Sequence, residues 1–389
     1  MFVIEFKAKG KTKQYEAIDD AIRTSQFIRN KCIRYWMDNK GVGKYDLSAH
    51  CKILAKEFKF ADELNSQARQ ASAERAWSSI ARFFENCKKQ MAGRKGFPKF
   101  KKNVRSVEYK GTGWKLINPK TIQFTDKKGI GVLKLKGTWD LGYFQKEDIK
   151  RVRLVKRADG YYCQFVLSTE VKEEVEPSNK AIGLDVGLAA FYTDSLGNKI
   201  DNPRFLRKAE KKLKRLQRRL SKKVKGSQNR NKARVKLGKA HLKVSRQRKD
   251  FVVKLARCVI RSHDAIAYED LRISNLVRNH CLAKSINDAA WYQFRAWLEY
   301  FGWKFGKITI AVPPQYTSQE CSNCGIVVKK TLSTRTHACK CGCSLDRDEN
   351  AAVNILRKGL STVGHTGFQA WGEATSTLEG ASLLEQVAS

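Results

Sequence analysis

The stretch Cys321–Leu356, CSNCGIVVKKTLSTRTHACKCGCSLDRDENAAVNIL, constrains this chain most. Five of its eleven cysteines fall within residues 321–343. An acidic knot follows, Asp346-Arg347-Asp348-Glu349-Asn350, and then an Ala-rich run with helical spacing. Cys321 and Cys324 form a C-x-x-C knuckle, and Gly325 supplies the tight ligand loop such a knuckle needs. The return arm offers Cys339, Cys341 and Cys343, with His337 nearby, but no second C-x-x-C. Cys339 with Cys341 is a contracted pair; Cys339 with Cys343 is a C-x-x-x-C. The first is favoured because Gly342 follows Cys341 as Gly325 follows Cys324, which leaves Cys343 as the alternative fourth ligand. The expectation is one Zn2+ in a closed, structural site that aims the acidic side chains behind it.

Charge narrows the partners. Lys and Arg outnumber Asp and Glu by 77 to 38, a formal charge of +39. Such a field draws polyanions, with strong salt dependence because condensed counterions are released. No stretch approaches the ~18 apolar residues of a membrane span, and the N-terminus lacks the apolar core of a signal peptide. An odd cysteine count with one tight cluster points to a reducing compartment and metal ligation. The composition therefore predicts a soluble, intracellular nucleic-acid-binding protein. Its 389 residues, 42% of them hydrophobic, are enough for two or three domains.

The charge is concentrated. Residues 204–249 hold 21 Lys or Arg and a single acid, Glu210, and so about half the net charge. Leu206, Ala209, Leu213, Leu216 and Leu220 recur at helical spacing; beyond the Gly226–Asn229 turn, Ala233, Leu237, Ala240, Val244, Phe251 and Leu255 do the same. This predicts an αα-hairpin packed on one face and cationic on the other. Charges of one sign leave no salt-bridge ladder, so a phosphate backbone is the better partner. Candidate contacts are Arg204, Arg207, Lys211, Lys214, Arg215, Arg218, Lys222, Arg230 and Arg234.

Elsewhere the period changes along the chain. Residues 2–7 alternate as a strand. Helical spacing covers 17–92, including a run near 50–60 and a helix capped by Asn65 or Ser66, and Gly93–Pro98 stops it. From 104 to 170 the pattern is β, with segments at 106–110, 114–125 and 131–136 and a hairpin from Ile149 turning at Asp159-Gly160. Its aromatics Tyr161, Tyr162 and Phe165 fit half-buried sheet positions better than stacking platforms. An acidic linker, 172–178, follows. Two strands after Lys180, a strand at 264–271, a polar loop, an amphipathic helix from Ala289 to Phe301 and a strand at 305–312 complete an α/β region. The tail beyond about 360 has weak periodicity.

Three acids stand out in that α/β region. Asp185 interrupts an apolar strand, where an ionised carboxylate is costly without a cation or hydrogen bonds. Glu269 ends a later strand, and Asp348 opens the last helix. Two metal ions about 4 Å apart can hold an attacking water and a leaving 3′ oxygen in phosphodiester cleavage. Hard divalent cations need oxygen ligands from several segments meeting at one point. The predicted catalytic and Mg2+-binding set is Asp185, Glu269 and Asp348.

The arrangement of GLDVGL (183–188), YEDL (268–271), C-x-x-C-G (321–325) and DRDENAAVNIL (346–356) resembles the TnpB family, RNA-guided DNA endonucleases of bacterial insertion sequences that share ancestry with compact type V CRISPR effectors. The resemblance covers about residues 1–360, its specific motifs lying in the C-terminal half. It implies a multidomain α/β protein: a RuvC-like nuclease of RNase H fold with the zinc knuckle inserted before its last acid, and an N-terminal small β-barrel interrupted by a helical domain. The corresponding boundaries are 1–16 and 96–176 for the wedge-like barrel, 17–95 for helical recognition, 180–314 and 346–360 for the nuclease (basic hairpin 204–262), 315–345 for the knuckle and 361–389 for a mobile tail.

By motif position the triad falls on Asp185, Glu269 and Asp348, with Asp346 the rival for third place and Arg347 a neighbouring phosphate or carboxylate partner. The contracted cysteine pair departs from the commoner C-x-x-C. The implied partners are a guide RNA and double-stranded target DNA, in a monomeric ribonucleoprotein of the bacterial cytoplasm associated with the nucleoid. A catalytically silent RNA-guided repressor and a transposase are the competing expectations; intact acids argue against the first, and the lack of a Tyr or Ser recombinase arrangement against the second.

Overall fold

The computed structural model describes residues 2–90, 93–168, 172–331 and 334–362. The chain divides into two compact units, Met1–Glu170 and Val171–Ser389. The tail expected beyond 360 lies outside the described residues from position 363 onward.

The first unit opens with β1 (Phe2–Lys9), whose Ile4, Phe6 and Ala8 alternate into the core. Four helices follow: α1 (Thr12–Asp38), α2 (Lys44–Glu57), α3 (Lys59–Asp62) and α4 (Ser66–Lys88). Asn65 caps α4, accepting from the Gln67 N–H at 2.9 Å, the Asx cap its side chain favours. The chain then returns to strands β2 (Ser106–Tyr109), β3 (Trp114–Asn118), β4 (Thr121–Phe124), β5 (Gly131–Lys136), β6 (Ile149–Arg157) and β7 (Gly160–Leu167). Segment 114–125 is thus a hairpin rather than one strand.

All seven strands form one antiparallel sheet, in the order β2-β6-β7-β1-β5-β4-β3. The helices are an excursion between β1 and β2. No ladder joins β2 to β3 among the described residues. Instead Tyr109 of β2 packs on Phe124 of β4 at 5.0 Å and donates to Asp126 at 2.6 Å. Tyr161, Tyr162 and Phe165 are buried, and Tyr161 stacks on Tyr15, as sheet residues rather than exposed platforms.

The second unit begins with residues 172–178, expected as an acidic linker. They are held by residues 304–307: the Glu173 N–H donates to the Lys304 carbonyl at 2.9 Å, and Lys307 reaches the Glu176 carbonyl at 3.0 Å. Strands β8 (Ala181–Val186), β9 (Ala190–Asp194) and β10 (Lys199–Asp201) come next. The long hairpin is α5 (Phe205–Ser221) and α6 (Gln228–Ser262), then β11 (Ala265–Glu269). The stretch between 271 and 289, expected as a polar loop, forms α7 (Ile273–Leu276) and α8 (His280–Ala289), the latter capped by Asn279. Next come α9 (Trp291–Phe305) and β12 (Ile308–Val312). Phe305, expected to open that strand, instead ends α9, and Gly306 caps it at φ +66°, a conformation that suits glycine. The small strands β13 (Thr336–Ala338) and β14 (Ser344–Asp346) precede α10 (Arg347–Thr362).

The five-stranded sheet runs β10-β9-β8-β11-β12, with β11 parallel to both β8 and β12 and the other pairings antiparallel. Period-two alternation divides β8. Ile182 and Leu184 join the core with Val252, Leu255, Val259, Phe294, Leu298 and Phe301 of α6 and α9. Gly183 and Asp185 face the other way, toward α10. A Cβ on Gly183 would sit 2.2 Å from the Ala352 carbonyl oxygen, and one on Gly359 would sit 2.6 Å from the Ala267 Cβ. Helix α10 therefore lies directly on the sheet, where only hydrogen fits. Among the described residues no helix is long and apolar enough to cross a membrane.

Candidate active site, zinc knuckle and basic hairpin

The sulfurs of Cys321, Cys324, Cys339 and Cys341 all lie within 4.8 Å of one another. Cys321–Cys341 and Cys324–Cys339 are each 3.6 Å apart. Zinc–sulfur bonds of about 2.3 Å place tetrahedral ligands about 3.8 Å apart, so the group fits a structural zinc. Its backbone is built for it. The Gly325 N–H donates to the Cys321 carbonyl and the Gly342 N–H to the Cys339 carbonyl, with both glycines at positive φ, +77° and +87°.

At Cys321 burial raises the thiol, but the Cys324 and Asn323 N–H groups outweigh it and bring it down to about 5. At Cys324 the Ile326 N–H pulls down, while burial and the crowding sulfurs push it up to about 12. Four crowded sulfurs cannot all ionise without a cation among them. Cys343 stands outside the group and supplies its backbone carbonyl to the Cys339 N–H at 2.9 Å. His337 is buried beside Lys330 and is likewise no member of it.

The three predicted acids converge. In the register of β8 and β11 the last pair is Leu184 with Tyr268; one residue further stand Asp185 and Glu269. Helix α10, seated on Gly183, brings Asp348 in its first turn to the same end of the sheet. Burial first, and then the charges of Glu269 and Asp348, hold the Asp185 carboxyl well above the ordinary carboxylate range, with Arg347 opposing them. Burial also raises Glu269, against a hydrogen bond from Thr317 and the charge of Lys358. Half-buried carboxylates from three segments, meeting at one end of a sheet, are the donor set that hard divalent cations take.

Asp346 is otherwise engaged. Its Oδ1 accepts from the Asp348 N–H at 2.9 Å, where it caps α10, and its Oδ2 pairs with Lys199 at 2.7 Å. Burial raises it, but that pair and cap outweigh burial and lower its pKa. Arg347 lies 3.8 Å from Asp348 and donates to the Thr334 carbonyl at 3.4 Å.

Thr317, Asn350 and Asn354, all buried, are the site neighbours that sequence patterning passes over. The Thr317 hydroxyl donates to Glu269 Oε1 at 2.6 Å. Asn350 and Asn354 of α10 each donate to the Glu320 carbonyl, at 2.8 and 2.7 Å, and Asn350 Oδ1 accepts from the Ser322 N–H at 2.9 Å. The signal for Asn350 and Asn354 is their i, i+4 spacing among the buried residues of α10; Thr317 has none.

On the hairpin Leu213, Leu237 and Val244 close the apolar seam. Arg204, Arg207, Lys211, Lys214, Arg215, Arg218, Lys222 and Arg234 are exposed. Lys214 pairs with Glu210 at 2.9 Å. Arg230 is half-buried and donates to the Leu220 and Lys223 carbonyls at 3.0 and 2.6 Å, which closes the turn. The base is fixed by Asp288, which accepts from the Leu206 and Arg207 N–H groups and from Arg248 at 2.8, 3.2 and 2.9 Å.

Known proteins are similar to this chain. A family model described as "Probable transposase" (OrfB_IS605) matches residues 164–280, and one described as "Cas12f1-like, TNB domain" matches residues 291–355. A protein of Streptomyces pristinaespiralis named as an RNA-guided DNA endonuclease is 32% identical over 310 residues, 78% of this chain and 74% of its own length. The chain belongs to the TnpB family. A second TnpB relative, named RNA-guided DNA endonuclease InsQ, from Escherichia coli, is 32% identical over 68% of this chain and 69% of its own. The fold of this TnpB chain is also similar to that of the Cas12f1 chain solved in a complex with sgRNA and target DNA. That match has a TM-score of 0.56 at 14% identity and covers 89% of this chain and 83% of that one.

Proposed function

We propose that this chain is an RNA-guided DNA endonuclease of an insertion sequence, binding a guide RNA from the element's end and cutting double-stranded DNA beside a short flanking motif. The observation that carries the chemistry is the meeting of Asp185, Glu269 and Asp348 at one end of the five-stranded sheet. The order of that sheet, two antiparallel strands beside β8 and two parallel ones beyond it, supports a RuvC-like RNase H fold. The first unit then corresponds to a wedge-like barrel with its helical recognition insert. Pairing would read the target sequence, while protein contacts read duplex shape and the flanking motif. The protein would act as a monomeric ribonucleoprotein on the cell's DNA.

Asp185, Glu269 and Asp348 would hold two Mg2+ ions, which supply activation of the attacking water and neutralisation of the leaving 3′ oxygen. The residues do the rest. β8 and β11 fix the first two carboxylates side by side. Asp346 and Lys199 hold the start of α10 so that Asp348 joins them, and the zinc knuckle closes the loop ahead of that helix. The cationic faces of α5 and α6 align phosphates without reading bases.

Protein purified with its bound RNA, given a matching duplex and Mg2+, should cut only when all three are present. Asp185→Ala and Glu269→Ala should retain target binding and lose cleavage by at least about a thousandfold, the scale of removing a central group of a catalytic constellation. Cleavage by either variant would discard the assignment. Strand joining without RNA would favour a transposase instead.

A further inference from the structure

Thr317 lies between β12 and the first zinc cysteine, 3% exposed, in a segment with no catalytic motif. Its hydroxyl donates to Glu269 Oε1 at 2.6 Å and lies 3.2 Å from the Pro314 carbonyl. Its own carbonyl accepts from Asn354 Nδ2 at 2.9 Å, and Asn354 is fully buried on α10, the helix that begins with Asp348. A continuous polar rod therefore runs from the Glu269 carboxylate through Thr317 to α10, apart from the sheet.

We propose that Thr317 is a positioning residue for divalent-cation binding, resting on the site assignment above. A glutamate side chain has three rotatable bonds, and these must be fixed for its carboxylate to meet a cation beside Asp185 and Asp348. The hydroxyl occupies one carboxylate oxygen with a short, charge-assisted bond. That fixes the rotamer and leaves the other oxygen for the ion. Through Asn354 it also ties the Glu269 end of β11 to the helix that delivers Asp348. Groups that orient metal ligands in this way change metal affinity or activity by about 10- to 100-fold when removed. A role confined to holding the loop would rest on the Pro314 and Asn354 bonds and would leave cation affinity untouched.

The test compares Thr317→Val, which keeps the shape and loses the hydroxyl, with Thr317→Ser, which keeps the hydroxyl. Mn2+ binding to the full chain without RNA is read by electron paramagnetic resonance, and the Mg2+ needed for half-maximal cleavage is read on the ribonucleoprotein. Thr317→Val should weaken Mn2+ binding and raise the Mg2+ midpoint by about tenfold or more, with guide RNA binding unchanged and much of the maximal rate recovered at high Mg2+. Thr317→Ser should return both toward wild type. Wild-type affinity in Thr317→Val overturns the proposal, as does equal weakening in both variants, which would place the effect in the methyl group. Glu269→Gln is the control: if it binds Mn2+ as tightly as wild type, the site assignment fails, whatever Thr317 does.

Discussion

Asp185 answers two opposed demands. The strand must be apolar on both faces to sit in the middle of the sheet, yet the proposed chemistry needs an ionised oxygen there. Burial and neighbouring acids raise the folded pKa of Asp185 and Glu269 above their unfolded values. The stability these groups contribute is therefore fully present below the ordinary carboxylate range and is lost as pH rises through the raised folded values. A divalent cation reverses the sign, because it binds the ionised forms. Without divalent ions, the stability of wild type relative to Asp185→Asn should fall as pH rises from about 4 to neutrality, by up to about 1.4 kcal/mol for each pH step of one. The increment from added Mg2+ should grow over the same range in wild type and stay flat in Asp185→Asn. Thermal denaturation across pH, with and without Mg2+, reads both. These acids were legible because each breaks or ends an apolar pattern. Thr317 was not, since its hydroxyl gains meaning only once folding brings residue 269 beside it.

At the scale of elements, α10 is where the knuckle and the carboxylates join. Asn350 and Asn354 hold the Glu320 carbonyl and the Ser322 N–H next to the first zinc ligand. Unfolding the knuckle should therefore loosen the helix that presents Asp348. Cys324→Ser should lower bound zinc below one equivalent and reduce cleavage at least about tenfold, the scale set by loss of support to metal ligands. Cys343→Ser should keep one equivalent and nearly full activity, because the Cys343 sulfur is not among the four that lie within 4.8 Å of one another. Zinc analysis by atomic absorption alongside cleavage rates decides between them. The contracted Cys339/Cys341 pair could be chosen from sequence because the glycine after each second ligand marks the same turn. Helix α8 could not, since its apolar spacing is sparse and its place depends on Asp288 gripping the start of α5. Strand β12 starts later than the sequence suggests because Phe305, the last residue of α9, is as apolar as the strand itself.

Across the molecule the dominant quantity is charge, +39 in total. The hairpin's exposed cations should govern a sequence-independent part of RNA affinity. Replacing Arg207, Lys211, Arg215 and Arg218 with Gln should weaken guide binding and reduce the slope of log affinity against log salt by about 0.7–0.9 for every phosphate no longer neutralised. Filter binding over a salt series measures this; an unchanged slope would place the RNA elsewhere. The boundary between the two units falls beside the acidic stretch 172–178 that the sequence marks. The open ladder between β2 and β3 is not marked there, because alternation marks strands but not whether a sheet closes.

The order of the acids along the chain has a consequence for synthesis. A ribosome delivers Asp185, then the cationic hairpin, then Glu269, and only after the knuckle Asp348. On the roles proposed for these residues, a nascent chain would grip nucleic acid well before it could hydrolyse it. A product halted ahead of position 346 would be a competitor for guide RNA with no cutting power, a truncated antagonist of its own full-length form.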